Sequence, residues 1–210
     1  LKTNRGDGEK VKIICCDDAR EEAETVINKI DTLSSLSEKK IWSNFAILYR
    51  TRAQSRLFET ELGKKKIPFR LFGLRFYDRK EVKDIIAYLR ILVNNEDDGS
   101  LSRIINIPKR GIGDKTLEKI KQAAQNKNVS VIDLIRDKNC LNSVFPKPHK
   151  GVEKFAQLLN ELSFYHDFGP SKIIQLILEK SGYWEELKKS SDYEDKERID
   201  NLNELINAAV

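Results

Sequence analysis

Residues 108–116 (PKRGIGDKT) place two glycines around one isoleucine, flanked by Lys109, Arg110 and Lys115, directly before a helical pattern. Glycine tolerates positive φ and lets another chain approach its backbone closely. A helix exposes unpaired N–H groups at its start, and its dipole adds partial positive charge there. Those amides, together with neighbouring cations, suit a phosphate oxygen. Gly111, Ile112, Gly113 and Thr116 complete the candidate turn, and the amphipathic LEKIK that follows can anchor it to a core. The pattern reads as a hairpin that grips a nucleic-acid backbone, a contact that positions a protein without reading base sequence. An ordinary helix–turn–helix with a solvated basic face gives the same local pattern.

Two further segments combine cations with groups able to face a single strand. Residues 49–56 (YRTRAQSR) follow an apolar run, and ligands of open α/β sheets bind at the C-terminal edge of the strands. Arg50, Gln54, Ser55 and Arg56 suit phosphate there, although a solvated helix start capped by Thr51 fits equally. Residues 75–79 (RFYDR) interleave aromatics with arginines. Arg75 and Phe76 suit base stacking beside backbone charge, or core aromatics bracing a hinge.

Other motifs carry no chemistry. Residues 113–116 (GDKT) look like the tail of a phosphate loop, but the upstream glycine is missing and the preceding segment reads as helix. Arg5-Gly6-Asp7 and Asn128-Val129-Ser130 match adhesion and glycosylation patterns that belong to an extracellular setting. His149 and His166 stand apart from any Cys or carboxylate cluster, so no metal site is expected. Cys15, Cys16 and Cys140 make no disulfide framework and fit reduced thiols, which points to the cytoplasm.

The elements that must hold these groups fall into two parts. Apolar and β-branched runs at 10–16 (KVKIICC), 45–49 (FAILY) and 68–72 (PFRLF) predict strands, with helices over 19–33 and 53–65 between them. That alternation predicts a parallel α/β arrangement, too small for a complete nucleotide-binding domain. After Gly73 the pattern turns all-helical. Helices are expected over 79–93, 101–107, 117–126, 130–137, 152–165, 171–181, 184–189 and 194–209, with loops over 94–99 and 141–151. The junction falls near 73–78.

Charge is distributed unevenly. The net charge is +5, but residues 103–127 hold seven Lys or Arg against two acids, whereas residues 185–204 lean acidic. Such asymmetry gives a polyanion one face and leaves another to solvent or protein. With 40% apolar and 34% charged residues the chain can bury a core while staying soluble. The absence of methionine, with Leu at position 1, suggests a piece of a longer protein.

Taken in order, the segments 45–56, 67–84 (IPFRLFGLRFYDRKEVKD), 104–118 (IINIPKRGIGDKTLE) and 198–205 (RIDNLNEL) resemble the UvrD/PcrA/Rep superfamily 1 DNA helicases. The likeness covers nearly the whole chain. It implies part of the second RecA-like subdomain (2A) over 1–73 and the helical 2B insertion over 74–210, within an ATP-driven 3′–5′ DNA helicase of repair or replication. The implied partners are DNA at a single-strand/duplex junction and the remainder of the helicase. Lys109, Arg110, Gly111, Ile112, Gly113, Lys115 and Thr116 take the duplex-contacting role. Arg50, Gln54, Ser55, Arg56, Arg75 and Phe76 fall near the single-strand path and the 2A/2B hinge. Arg52 stands where the family commonly has Asn. The resemblance also allows a regulatory module that binds repair or transcription proteins, for which the acidic 185–204 stretch would serve. ATP and Mg²⁺ belong to the intact helicase, because these residues contain no phosphate loop, Asp-Glu metal motif or arginine-finger motif. The pure chain is therefore expected to hydrolyse no ATP, and measurable phosphate release would refute that reading.

Overall fold

The structure is a computed structural model that describes residues 8–36, 41–165, 167–189 and 192–210. Arg5-Gly6-Asp7, His166 and the end of the expected 34–40 loop lie outside the described residues. The chain separates into two compact units. One comprises residues 1–50 and 54–73, the other 51–53 and 74–210.

The first unit is built on two helices. Asp18 caps α1 (Ala19–Ser35) by accepting from the Glu21 amide at 2.8 Å. Ile27 of α1 packs with Leu62 of α2 (Ser55–Lys64) and with Ile67, while Ile30, Trp42, Ile47, Phe58 and Phe69 close around them. Lys65 pairs with Asp31 across the two helices at 3.3 Å.

The expected strands are not observed. Residues 10–16, 45–49 and 68–72 form no ladder among the described residues, so the predicted α/β sheet of this unit is corrected to a helical pair with extended flanks. A β-branched and apolar run suits a pleated, half-buried surface. A sheet, however, exists only through partners for each backbone N–H and C=O. Ile47 and Phe69 pack on the small core, but Val11, Ile13, Leu48 and Phe72 are each at least 90% exposed, so the other side of these segments is uncovered within the unit.

The second unit is all helix, as the periodicity predicts. Its centre is α3 (Lys80–Val93), whose Val82, Ile85, Tyr88 and Ile91 are fully buried. Around it pack α4 (Asp98–Ile104), α8 (Lys150–Ser163), α9 (Pro170–Lys180) and α11 (Tyr193–Ala208). The remaining helices are α5 (Asp114–Lys127), α6 (Val131–Arg136), α7 (Lys138–Val144) and α10 (Tyr183–Lys189). Among the boundaries that differ from expectation, two are set by aspartate caps. Asp97 accepts from the Ser100 amide at 2.9 Å and starts α4 three residues early. Asp137, expected as the end of the preceding helix, accepts from the amides of Asn139 and Cys140 and starts α7, which runs on to Val144 inside the expected 141–151 loop.

Two buried polar clusters tie α3 to its neighbours. Asp84 accepts from Arg103 Nε at 2.7 Å and from the Tyr183 hydroxyl at 3.0 Å. Burial pushes the Asp84 carboxyl above its usual range, against the pull of Arg103. Asn201 of α11 donates to Glu81 at 2.6 Å and accepts from Arg79 at 2.6 Å.

Truncating Ile85 to Ala is expected to cost about 2–5 kcal/mol of stability through a cavity beneath α3. The same change at exposed Val93 should stay within about 0.5 kcal/mol. Urea unfolding of the two variants measures the difference.

Candidate nucleic-acid interface

The α4–α5 connection carries the glycine pair. Gly111 sits at φ +74°, a conformation that favours glycine, and both Gly111 and Gly113 are exposed. Ile112 between them points inward and is only 3% exposed. The bend is therefore pinned at its middle and open at its two glycines. Gly113 caps α5 with extended backbone (ψ 174°) and no side-chain hydrogen bond. Thr116 and Leu117 donate back to the Gly113 carbonyl at 3.0 and 3.1 Å. The amides of Gly113, Asp114 and Lys115 have no acceptor among the described residues, which leaves three donors at the mouth of a helix.

The cations of the motif divide into two kinds. Lys109 and Lys115 are exposed and form no ion pair among the described residues. Arg110 is turned the other way. Its Nη1 lies within 2.9–3.2 Å of the carbonyls of Ile104, Ile105, Ile107 and Pro108. Its Nη2 donates to the Tyr88 hydroxyl at 2.7 Å, and the guanidinium stacks over the Phe155 ring at 5.1 Å. A cation at the C-terminal carbonyls of α4 is favoured by the helix dipole. The phosphate role expected of Arg110 thus meets a side chain already engaged in holding the bend. The Tyr88 hydroxyl donates onward to the Ile107 carbonyl at 2.6 Å, and burial pushes its pKa up to about 12.

Two residues that sequence reasoning passed over complete the support. Asn106 Oδ1 accepts from the amides of Arg110 at 2.7 Å and Ile112 at 3.2 Å, so its side chain takes the place of a backbone turn. Gly151 lies under the bend in α8: a Cβ there would stand 2.1 Å from the Arg110 carbonyl oxygen and 3.2 Å from Ile112 Cγ1. Asn106, two positions before Pro108, is a local turn signal in the sequence. Nothing local in the sequence links Gly151 to residues forty positions earlier.

The other predicted residues are placed as follows. In the first unit, Arg50 and Gln54 are exposed, and the Arg50 amide donates to Gln54 Oε1 at 3.0 Å. Arg56 is half-buried, while Ser55 is buried and donates to Glu59 at 2.7 Å. In the second unit Arg75 is exposed. Phe76 is fully enclosed, edge-on to Tyr77 at 5.1 Å with Arg79 over its face at 5.3 Å. Enclosure leaves Phe76 no face for a base. Arg52 reaches Glu197 at 3.7 Å, and its carbonyl accepts from Arg79 at 2.7 Å, which supplies a structural part for the residue whose role was open. Among the described residues no group of three or more His, Cys, Asp or Glu side chains is arranged to hold a metal ion.

A family model for the UvrD-like helicase C-terminal domain matches residues 1–210. The chain belongs to the UvrD-like helicase C-terminal domain family. It is 36% identical over 207 residues to the ATP-dependent DNA helicase PcrA of Staphylococcus epidermidis (strain ATCC 12228), covering 98% of this chain and 28% of that protein. Against the protein of the same description from Staphylococcus aureus (strain COL) the identity is 36% over 208 residues, with the same shares covered. The chain thus spans little more than a quarter of the length of these curated relatives. For this UvrD-like domain, the bend between α4 and α5 joins exposed lysines to open helix-start amides on a scaffold of buried hydrogen bonds.

Replacing Gly151 by Ala should push the Arg110 carbonyl out of place and cost about 1–3 kcal/mol by overpacking. Amide shifts of residues 110–113 together with a thermal melt test this; unchanged shifts would contradict the close contact.

Proposed function

We propose that the α4–α5 bend grips the sugar–phosphate backbone of duplex DNA, and that the chain is the DNA-handling part of an ATP-dependent 3′–5′ DNA helicase of repair or replication. Residues 74–210 are read as the 2B insertion and residues 1–73 as part of 2A. The observation that carries the proposal is the coincidence, at one exposed bend, of two unpaired lysines with three helix-start amides lacking acceptors. A phosphate oxygen supplies the acceptors those amides lack and the negative charge that Lys109 and Lys115 face. Thr116, half-buried on the first turn, adds a hydroxyl. Asp114 beside them offsets one cation, which suits binding that is reversible along a strand.

Within this reading Gly111 and Gly113 let the phosphate come close, and Ile112 fixes the bend to the core. Arg50, Gln54, Arg56 and Arg75 are assigned to the single-strand path and hinge. The helicase relatives, described as ATP-dependent, support ATP as the energy source for the intact protein. The nucleotide and Mg²⁺ would be held outside these residues. The acidic surface of a regulatory module is less free than its composition suggests, since Arg198 pairs with Asp195 at 2.6 Å and Arg52 reaches Glu197.

Duplex affinity measured against salt tests the grip. Lys109→Ala and Lys115→Ala should each make the slope of log K against log salt shallower by about 1. A slope unchanged in both variants would refute the proposal and leave the partner-binding module as the better reading.

A further inference from the structure

We infer that Tyr88 and Asn106, neither of which offers DNA a charge, are positioning residues that set duplex affinity by holding the bend in its binding shape through Arg110 and Ile112. The inference rests on the grip proposed above and assigns it a mechanism of preorganisation.

The bend has reason to be loose. Two exposed glycines within three residues give it more backbone freedom than any other residue type would. Ordering such a segment on contact with DNA would subtract from affinity, and prior ordering removes that cost. Three ties supply the ordering. Asn106 Oδ1 gathers two alternate amides of the bend, those of Arg110 and Ile112. The Arg110 guanidinium spans carbonyls from Ile104 to Pro108, so it locks the bend to the end of α4. The Tyr88 hydroxyl bridges the two sides, accepting from Arg110 Nη2 and donating to the Ile107 carbonyl. No other acceptor among the described residues takes Arg110 Nη2. Without the hydroxyl, a part-buried charged donor loses its partner, and that loss is costly.

Tyr88 itself is 0% exposed, so it acts on DNA only through the bend. Electrostatics and preorganisation then separate in one measurement. The salt slope counts neutralised phosphates, whereas the affinity at fixed salt also carries the cost of ordering.

The experiment titrates a blunt DNA duplex with the full chain over a range of salt. Tyr88→Phe and Asn106→Ala are expected to lower affinity about tenfold at every salt, with slopes unchanged, as for loss of a hydrogen bond that orders the site. Tyr183→Phe is the control. It removes another buried tyrosine hydroxyl bonded to the same helix, at Asp84 rather than at the bend, and should lower the melting temperature without changing affinity. If Tyr88→Phe does not fold, Asn106→Ala carries the test alone. Unmodified affinity in the Tyr88 and Asn106 variants, with Lys109→Ala still flattening the slope, would overturn the inference and leave the grip standing. Equal weakening by Tyr183→Phe would overturn it as a general stability effect. A Lys109→Ala protein with unchanged slope and affinity would remove the grip and the inference together.

Discussion

One inward-facing cation determines what the α4–α5 bend of this domain can do. Arg110 sits in the middle of a basic motif, yet its charge is directed at the carbonyl end of α4 and at a buried phenol. A guanidinium presents a planar fork of donors and suits this task better than an ammonium, whose compact charge is more strongly hydrated. With Arg110 committed inward, Lys109 and Lys115 can remain solvated on either side of an ordered backbone. The bend thus separates two uses of positive charge that composition alone merges. One organises the chain, and the other stays available to an anion.

The rest of the second unit serves that arrangement. Helix α3 runs through the core and contributes Tyr88 to the bend and, one turn earlier on the same side, Asp84 to Arg103 of α4 and Tyr183 of α10. Helix α8 passes beneath the bend with glycine at the crossing, where any larger residue would meet a carbonyl oxygen. Phe155 on the same helix provides the ring on which Arg110 rests. A site that looks like a short surface loop is held by residues spread from position 88 to position 155.

This explains how much was legible in the sequence. Helical periodicity found the elements of the second unit except α7, because 3.6-residue spacing of apolar residues is set locally. The glycine pair and its lysines were visible for the same reason. Arg110 was assigned with the lysines because residue type reports charge, not direction. Tyr88 and Gly151 escaped because their parts depend on contacts with Arg110 across 22 and 41 positions, which spacing does not encode. The strands of the first unit show the reverse failure. Segments 10–16, 45–49 and 68–72 have the right residues, but a sheet is a property of several segments together, and none pair here.

Residues 51–53 group with the second unit although the chain on either side of them groups with the first. Arg79 explains the attachment: it donates to the Arg52 carbonyl while bonding Asn201 of α11. The polypeptide therefore passes between the units three times, not once. A genetic cut after Gly73, which looks natural on a linear map, would strip three residues from the larger unit and deprive Arg79 of an acceptor deep in its fold. The two units are interlaced along the gene even where each is compact in space, so they are poorly suited to being inherited or transplanted as separate modules.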